Sequence, residues 1–343
     1  MGTGFYNSKS LITVRLLTHR QEEITDELIA SRVKAACDYR RFVMNRPGTD
    51  SCRLIYGEAD RLPGVIADRF GGVIVLQVLA LGMERFTQTI ADALLACEKP
   101  DCLLLQNDDA IRRKEGMECF TRVLYGTLPE ENIIHENGVK LAVDVLGGQK
   151  TGYFLDQKDN HLFVRQFCKD ARVLDCFSYI GAFALNAAAA GAKEVTAVDI
   201  SEAAVQLIEK NAALNGADIT AVCANCFDFL RAQVKAGEKY DVVVLDPPAF
   251  TKAHANMASA CRGYKEIALS AMRLLPAGGV LATHSCSYHM PEEVFVNTVL
   301  SAAQDLHRQV RVITLRRQDI DHPVLAGYPE SHYLKSLWLQ MLD

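Results

Sequence analysis

The apolar positions of this chain follow two rhythms. From Arg172 onward, short and nearly continuous apolar runs alternate with longer stretches at helical spacing. Val173-Leu174 leads into an alanine-rich helix over 182–190, and Val195-Thr196-Ala197-Val198 into one over 201–214. A short strand over 220–222 precedes a helix over 226–235, and Val242-Val243-Val244-Leu245 precedes a loop and a helix over 261–275. Val280-Leu281-Ala282-Thr283 follows a Gly278-Gly279 turn, and a further helix starts near Pro291. Strands this apolar sit inside a parallel sheet covered by helices on both faces. Repeated strand–helix units predict a doubly wound, mostly parallel α/β fold. Ligands of such sheets bind beyond the carboxyl ends of the strands, so the residues just after each strand are where chemistry is expected.

Ahead of this region the periods are shorter. Thr25 can cap a helix whose apolar residues fall at Leu28, Ile29, Val33 and Ala36. Arg53-Leu54-Ile55-Tyr56 is followed by a Leu62-Pro63-Gly64 turn. The run from Val65 to Phe70, broken by Gly71-Gly72 before the run from Val73 to Val78, reads as a β-hairpin. A helix over about 83–97 and a strand over 102–105 complete a small α/β unit, and a second hairpin turns at Asn137-Gly138. The run from Leu11 to Leu17 reads as a strand with no neighbouring partner. A lone edge strand either docks on something downstream or is the tail of another domain. The boundaries expected are 1–18, 19–132 and 133–343.

Composition then removes several classes. With 343 residues, 49% hydrophobic and 23% charged, the chain is not disordered. Its 37 Lys and Arg against 42 Asp and Glu give a net charge of -5, which argues against bulk electrostatic attachment to nucleic acid. Positive charge is local instead: Arg32, Lys34, Arg40, Arg41 and Arg46 stand against Asp38 alone between 31 and 46. Eleven cysteines without a framework spacing, and a single Cys223-Ala-Asn-Cys226 pair, suggest reduced thiols and no metal. The longest uncharged run, 176–192, is too polar for a membrane span. A cytoplasmic protein with no membrane contact is expected.

Candidate chemistry lies after the strands. Asp175-Cys176-Phe177-Ser178-Tyr179-Ile180-Gly181-Ala182 lacks the GxGxxG fingerprint, which counts against a nicotinamide or flavin enzyme. One glycine in a tight turn admits a ligand close to the backbone without a pyrophosphate nest. Asp199 ends the second strand, where a carboxylate suits two ribose hydroxyls. Two acids around a small turn suit a nucleoside without phosphates, of which S-adenosylmethionine is the obvious one; two helix-capping residues would look the same. The fourth strand ends in Asp246-Pro247-Pro248-Ala249-Phe250, whose prolines fix the chain as it leaves the sheet. The fifth delivers His284-Ser285-Cys286-Ser287, a thiol placed as a nucleophile or as a buried packing residue. A thiolate adding to carbon 6 of a pyrimidine makes carbon 5 reactive enough to accept a methyl group.

Further stretches join these: Leu54-Ile55-Tyr56-Gly57-Glu58-Ala59-Asp60 through Leu62-Pro63-Gly64, Thr151-Gly152-Tyr153-Phe154-Leu155-Asp156-Gln157, Arg262-Gly263-Tyr264-Lys265-Glu266, Asp321-His322-Pro323-Val324 and Tyr333-Leu334-Lys335. In this order, over essentially the whole chain, they resemble the RlmI-type family of large-subunit ribosomal RNA cytosine-C5 methyltransferases. The resemblance implies a Rossmann-like class I methyltransferase domain preceded by a small α/β domain of RNA-binding type, with S-adenosylmethionine as cofactor. It implies Cys286 as nucleophile, with Asp246 contacting a flipped base. It implies a cofactor pocket with Phe154, Asp156, Gln157, Asp175, Phe177, Ser178, Tyr179, Gly181, Asp199, Ile200, Asn225, Cys226, Asp246 and Pro247. Family members carry an N-terminal PUA domain, and residues 1–18 resemble only its last segment. The partner implied is 23S rRNA or the large ribosomal subunit, with room for a homodimer.

The chain departs from the pattern at Ala182, at Asn225 in place of an acid, and at His161 in place of an arginine. Ala249 stands where amino-directed methyltransferases carry an aromatic and where other cytosine-C5 enzymes carry a second cysteine, so the base that removes the carbon 5 proton is unassigned. RNA contact is expected from Arg40 and Arg41 in the 31–46 segment, then from Lys252, Arg262 and Lys265. Methylation of a guanine or adenine nitrogen with Cys286 structural, and a non-catalytic cofactor-binding module, are the alternative readings.

Overall fold

The structure is a computed structural model that describes residues 2–44, 46–250 and 257–343. Its contacts divide the chain into two compact units. The first is Met1–Gly138, Ala142–Leu155 and Asp319–Ser331; the second is Val139–Leu141, Asp156–Gln318 and His332–Asp343. The division falls in the hairpin at Asn137-Gly138, not at 132, and it returns two later segments to the first unit. Both hairpin residues have positive φ, 53° and 81°, as a two-residue turn between right-twisted strands requires.

The first unit is built on a five-stranded sheet in sequential order: Ser51–Tyr56, Val65–Phe70, Val73–Val78, Cys102–Asn107 and Phe120–Gly126. Only the third and fourth strands pair in parallel. Helix Asp26–Val43 begins where its cap predicts, with Thr25 Oγ1 accepting from Leu28 N at 3.3 Å. It buries Ile29, Val33, Ala36 and Cys37 against the sheet. The helix expected over 83–97 is two pieces, Leu81–Glu84 and Thr87–Glu98, interrupted at Arg85-Phe86.

The amino-terminal strand needs correcting. It runs Val14–Thr18, and it does have a partner: Thr3–Tyr6 pairs with it antiparallel. This two-stranded ladder docks on the first unit through buried Leu17, the Phe5–Phe86 ring contact and Glu115, which pairs with Arg15 and accepts from Asn7.

The second unit carries the sheet that sets up the site, and its strands are numbered here from β1. They are β1 (Arg172–Cys176), β2 (Glu194–Asp199), β3 (Thr220–Cys223), β4 (Val242–Leu245), β5 (Val280–Ser285), β6 (Val310–Arg316) and β7 (Lys335–Met341). Their order is β3-β2-β1-β4-β5-β7-β6. The first five are parallel, while β7 runs antiparallel to both β5 and β6. The expected βα alternation is present: helices Ala182–Ala189, Glu202–Asn215, Cys226–Ala236, Met257–Leu274 and Glu292–Asp305 follow the strands and cover the sheet. This is the Rossmann-like class I methyltransferase topology. Strands β6 and β7 add an antiparallel edge that the βα rhythm did not announce. Among the described residues no helix is long and apolar enough to cross a membrane.

Candidate active site

β1 lies between β2 and β4, so the chain winds away from it in both directions, and that reversal is where sheets of this kind bind ligands. The parallel register aligns Cys176 with Val198 on one side and Leu245 on the other, and Leu245 with Thr283. Residues 177–181, 199–200, 246–248 and 284–287 therefore emerge along one edge of the sheet. The turn after β1 is held in a costly backbone conformation: Phe177 (φ 62°), Tyr179 (φ 50°) and Gly181 (φ 88°) all lie in the left-handed region. For the two aromatics this costs on the order of 1 kcal/mol or more each, and such strain persists only where surroundings enforce it. Two bonds do so here: Tyr179 N donates to Asp199 Oδ2 at 2.9 Å, and Phe177 N donates to Cys226 Sγ at 3.2 Å.

The two acids flanking this turn differ. Asp175 is 1% exposed; Ser178 Oγ and Ala184 N donate to its Oδ2, while Oδ1 has no partner among the described residues. Burial pushes its carboxyl up to about 7, against the pull of those two donors. Asp199 is half-buried and accepts from Ser201 N as well as Tyr179 N. Ile200, beside it, is 68% exposed, an apolar surface with nothing over it. A buried acceptor without a donor, next to a second carboxylate and an open aliphatic face, fits the amine, hydroxyl and ring groups of S-adenosylmethionine. Asn225 uses its side-chain oxygen to cap helix Cys226–Ala236, accepting from Phe227 N at 2.9 Å. Cys226 is buried in the core and braces the turn from beneath, and Ser178 is buried against Asp175.

A polar relay ties the next strand end in place. Gln157 Nε2 donates to Asp246 Oδ2 at 3.1 Å, Asn160 Nδ2 to Gln157 Oε1 at 2.7 Å, and Arg316 Nε to Asn160 Oδ1 at 3.1 Å. Asp156, also buried, accepts from the Tyr333 hydroxyl. Pro247 is buried as the chain leaves β4. Cys286 lies just past β5 and is half-exposed, so the thiol is within reach of solvent. The buried Tyr264 hydroxyl meets Ser285 Oγ at 2.9 Å; burial pushes its ionisation up, and Cys286 and Asp246 act in the same direction. Lys335 Nζ donates to Ser287 O at 2.6 Å.

The residues expected to contact RNA, and Phe154, stand apart from this edge or outside the described residues. Arg40 is not an RNA contact: it is 2% exposed, pairs with Asp60, and donates to Arg53 O at 2.8 Å and Asp321 O at 2.9 Å. The physical reason is register, since position 40 continues the apolar face of Ile29, Val33 and Ala36. Arg41 is half-exposed but engaged by Asp38 and Glu98. Phe154 belongs to the first unit, with Lys150 Nζ 4.4 Å from its ring centroid. Lys252 lies outside the described residues. Arg262 is exposed on helix Met257–Leu274, and Lys265 on the same helix pairs with Asp305 at 2.8 Å. Sequence reasoning passed over Lys335, Tyr264 and Asn160 as site residues. A lysine opening a strand that is otherwise Ser-Leu-Trp-Leu was the available signal for the first.

Residues 74–318 match the family model described as S-adenosylmethionine-dependent methyltransferase. The ribosomal RNA large subunit methyltransferase I of Klebsiella pneumoniae (strain 342) is 43% identical over 341 residues, covering 98% of this chain and 85% of that protein. A Streptococcus mutans chain assigned as a SAM-dependent methyltransferase superposes with a TM-score of 0.85 at 20% identity, covering 99% of this chain and 88% of its own. A methyltransferase structure complexed with SAH superposes at 0.86, with the same identity and coverage. At that identity these two structures speak to the fold alone. The chain belongs to the S-adenosylmethionine-dependent methyltransferases, and among them to the family of the ribosomal RNA large subunit methyltransferases I.

Proposed function

We propose that this protein methylates carbon 5 of a cytosine in large-subunit ribosomal RNA, with Cys286 as nucleophile. The observation that carries the reading is a solvent-reachable thiol just past β5, on the sheet edge that also bears Asp246. The relatives' names support ribosomal RNA as the substrate. S-adenosylmethionine supplies an electrophilic methyl group; Asp156, Gln157, Asp175, Tyr179, Asp199 and Ile200 are the residues that hold it.

The thiolate of Cys286 forms a bond to carbon 6, which moves electron density to carbon 5. Once carbon 5 carries the methyl group, a water molecule takes its proton, the C5–H electron pair restores the C5–C6 double bond, and the Sγ–C6 bond breaks to restore the thiolate. Asp246, fixed by Gln157, serves to hold the exocyclic amine and ring nitrogen of a base turned out of its stack. Ala249 after the proline pair supplies no aromatic platform for an amino group, which favours carbon over nitrogen methylation. With Arg40 turned inward, Arg41, Lys252, Arg262 and Lys265 remain the RNA contacts proposed.

RNA carrying 5-azacytidine traps such an adduct because carbon 5 is replaced by nitrogen and the release step fails. The wild-type protein is expected to give a covalent band that Cys286→Ser does not form. An adduct of equal yield from Cys286→Ser removes Cys286 as nucleophile. Nucleoside mass spectrometry showing a methylated guanosine or adenosine in place of 5-methylcytidine overturns the reaction.

A further inference from the structure

We propose that Lys335 is the proton acceptor and charge partner that holds Cys286 as a thiolate, an inference that rests on the nucleophilic reading of Cys286. Lys335 opens β7 and stands opposite Ser285 in the ladder with β5. Its side chain then reaches past the strand end, where Nζ donates to Ser287 O at 2.6 Å. The backbone of Lys335 is thus paired to the residue before Cys286, and its ammonium group is anchored to the residue after it. Lys335 is 3% exposed, and Ser287 O is one acceptor for a group with three protons to donate.

Such a position is expensive for structure alone. An apolar residue of similar size opens a buried strand at lower cost than an ammonium does. Burial pulls Lys335 down to about 8, and the charges of Cys286 and Glu292 act in the opposite direction. The other groups facing this corner are Tyr264 and, through it, Asp246 on the Cys286 side. His332, with Arg317 near it, faces the Lys335 side. Asp246 and Glu292 both oppose a second negative charge on sulfur. Lys335 is the buried cation that offsets them; Arg317 is more than half exposed. Near neutral pH a share of Lys335 is neutral and can take the thiol proton. Cys–SH and Lys–NH2 become Cys–S⁻ and Lys–NH3⁺, no net charge is created in the buried corner, and the sulfur is left free to bond to carbon 6.

The test is the pH dependence of Cys286 alkylation by iodoacetamide, read by peptide mass spectrometry on the full chain so that the other ten cysteines do not interfere. In the wild type, reactivity is expected to rise with a midpoint below the ordinary thiol value of about 8.5. Lys335→Met is expected to move that midpoint up by about one unit and slow alkylation at pH 7.5 by about tenfold. Lys335→Arg keeps the positive charge but has no neutral form to take the proton, so with water as the acceptor it is expected to retain a low midpoint. Unchanged S-adenosylmethionine affinity shows that each variant is folded. A wild-type midpoint at the ordinary thiol value overturns the inference without any variant. So does a folded Lys335→Met with the wild-type profile, or a Lys335→Arg that behaves like Lys335→Met. The 5-azacytidine adduct is scored separately. An adduct through Cys286 with an ordinary midpoint sinks the Lys335 role alone, whereas a low midpoint with no adduct sinks the nucleophile.

Discussion

The two units bury charge in opposite ways. In the first, three buried arginines are each paired to a carboxylate, while the partly buried Arg15 keeps Nε without a partner among the described residues. Arg53 makes a two-pronged contact with Asp68 at 2.8 and 2.7 Å, Arg112 reaches Glu84 and two carbonyls, and Arg40 reaches Asp60 and three carbonyls. In the second, groups at the strand ends are left short: Asp175 has an oxygen with no partner and both ring nitrogens of His284 have none among the described residues. A fully paired buried charge fixes a fold, whereas a partly paired one is costly unless something binds it. The contrast concerns these buried ionisable groups; among the described residues, single unpartnered amide and hydroxyl atoms do occur in the first unit.

The sharpest way to break the comparison is to cut one scaffold pair. Arg40→Met leaves the Asp60 carboxylate, itself largely buried, without its cation. The expected loss is about 3–5 kcal/mol of unfolding free energy, read from urea denaturation. Arg41→Met, one residue along the same helix, is expected to cost less than about 1 kcal/mol, because its pairs are half-exposed. Equal effects at 40 and 41 contradict the assignment of Arg40 to the interior.

That pair of neighbours also shows what sequence could disclose. The βα alternation, the acids after β1 and β2 and the thiol after β5 were all legible, because parallel strands put chemistry at a fixed place: the residue after the apolar run. Charge on a helix is different, since residue type does not say which way it faces. For Arg40 the spacing did say so: Ile29, Val33, Ala36 and Arg40 share one face, and the apolar period continues through the arginine. The strain at Phe177 and Tyr179 was not legible, because only the tertiary bonds to Asp199 and Cys226 hold those residues left-handed. β6 was missed although Val312-Ile313-Thr314-Leu315 is an apolar run, because it lies at the antiparallel edge of the sheet, outside the βα alternation.

A second prediction sharpens the contrast by changing sign. Asp175 ionises near 7 in the folded protein and near 4 when unfolded, so between those values the native state binds the extra proton. Stability contributed by this group falls as pH rises from 4 to 7 and stays low above. Asp175→Asn is therefore expected to raise the unfolding free energy of the ligand-free protein by about 2 kcal/mol at pH 8 and by little at pH 5. The same change is expected to weaken S-adenosylmethionine binding about tenfold or more by calorimetry. A variant less stable than wild type at pH 8 shows that the orphaned oxygen is not a cost to the fold.

The smallest expected effect concerns His284, which lies wholly buried on β5 with its ring 5.1 Å from that of Phe183 and 6.0 Å from that of Trp338. Burial lowers its imidazolium ionisation to about 3, with His161 acting in the same direction. An unfolded histidine takes a proton near 6.5, so here the unfolded state binds more protons and stability is lost as pH falls below that value. Between pH 7 and pH 5.5 this amounts to about 1 kcal/mol. His284→Phe fills the same aromatic niche with no nitrogen to leave unbonded, and it is expected to flatten that part of the stability curve while leaving the fold intact. Measured as the difference between the two denaturation series, an acid slope that survives the substitution assigns the sensitivity to another group. It would also remove His284 from the set of underpaired residues that mark this unit as the one built to bind.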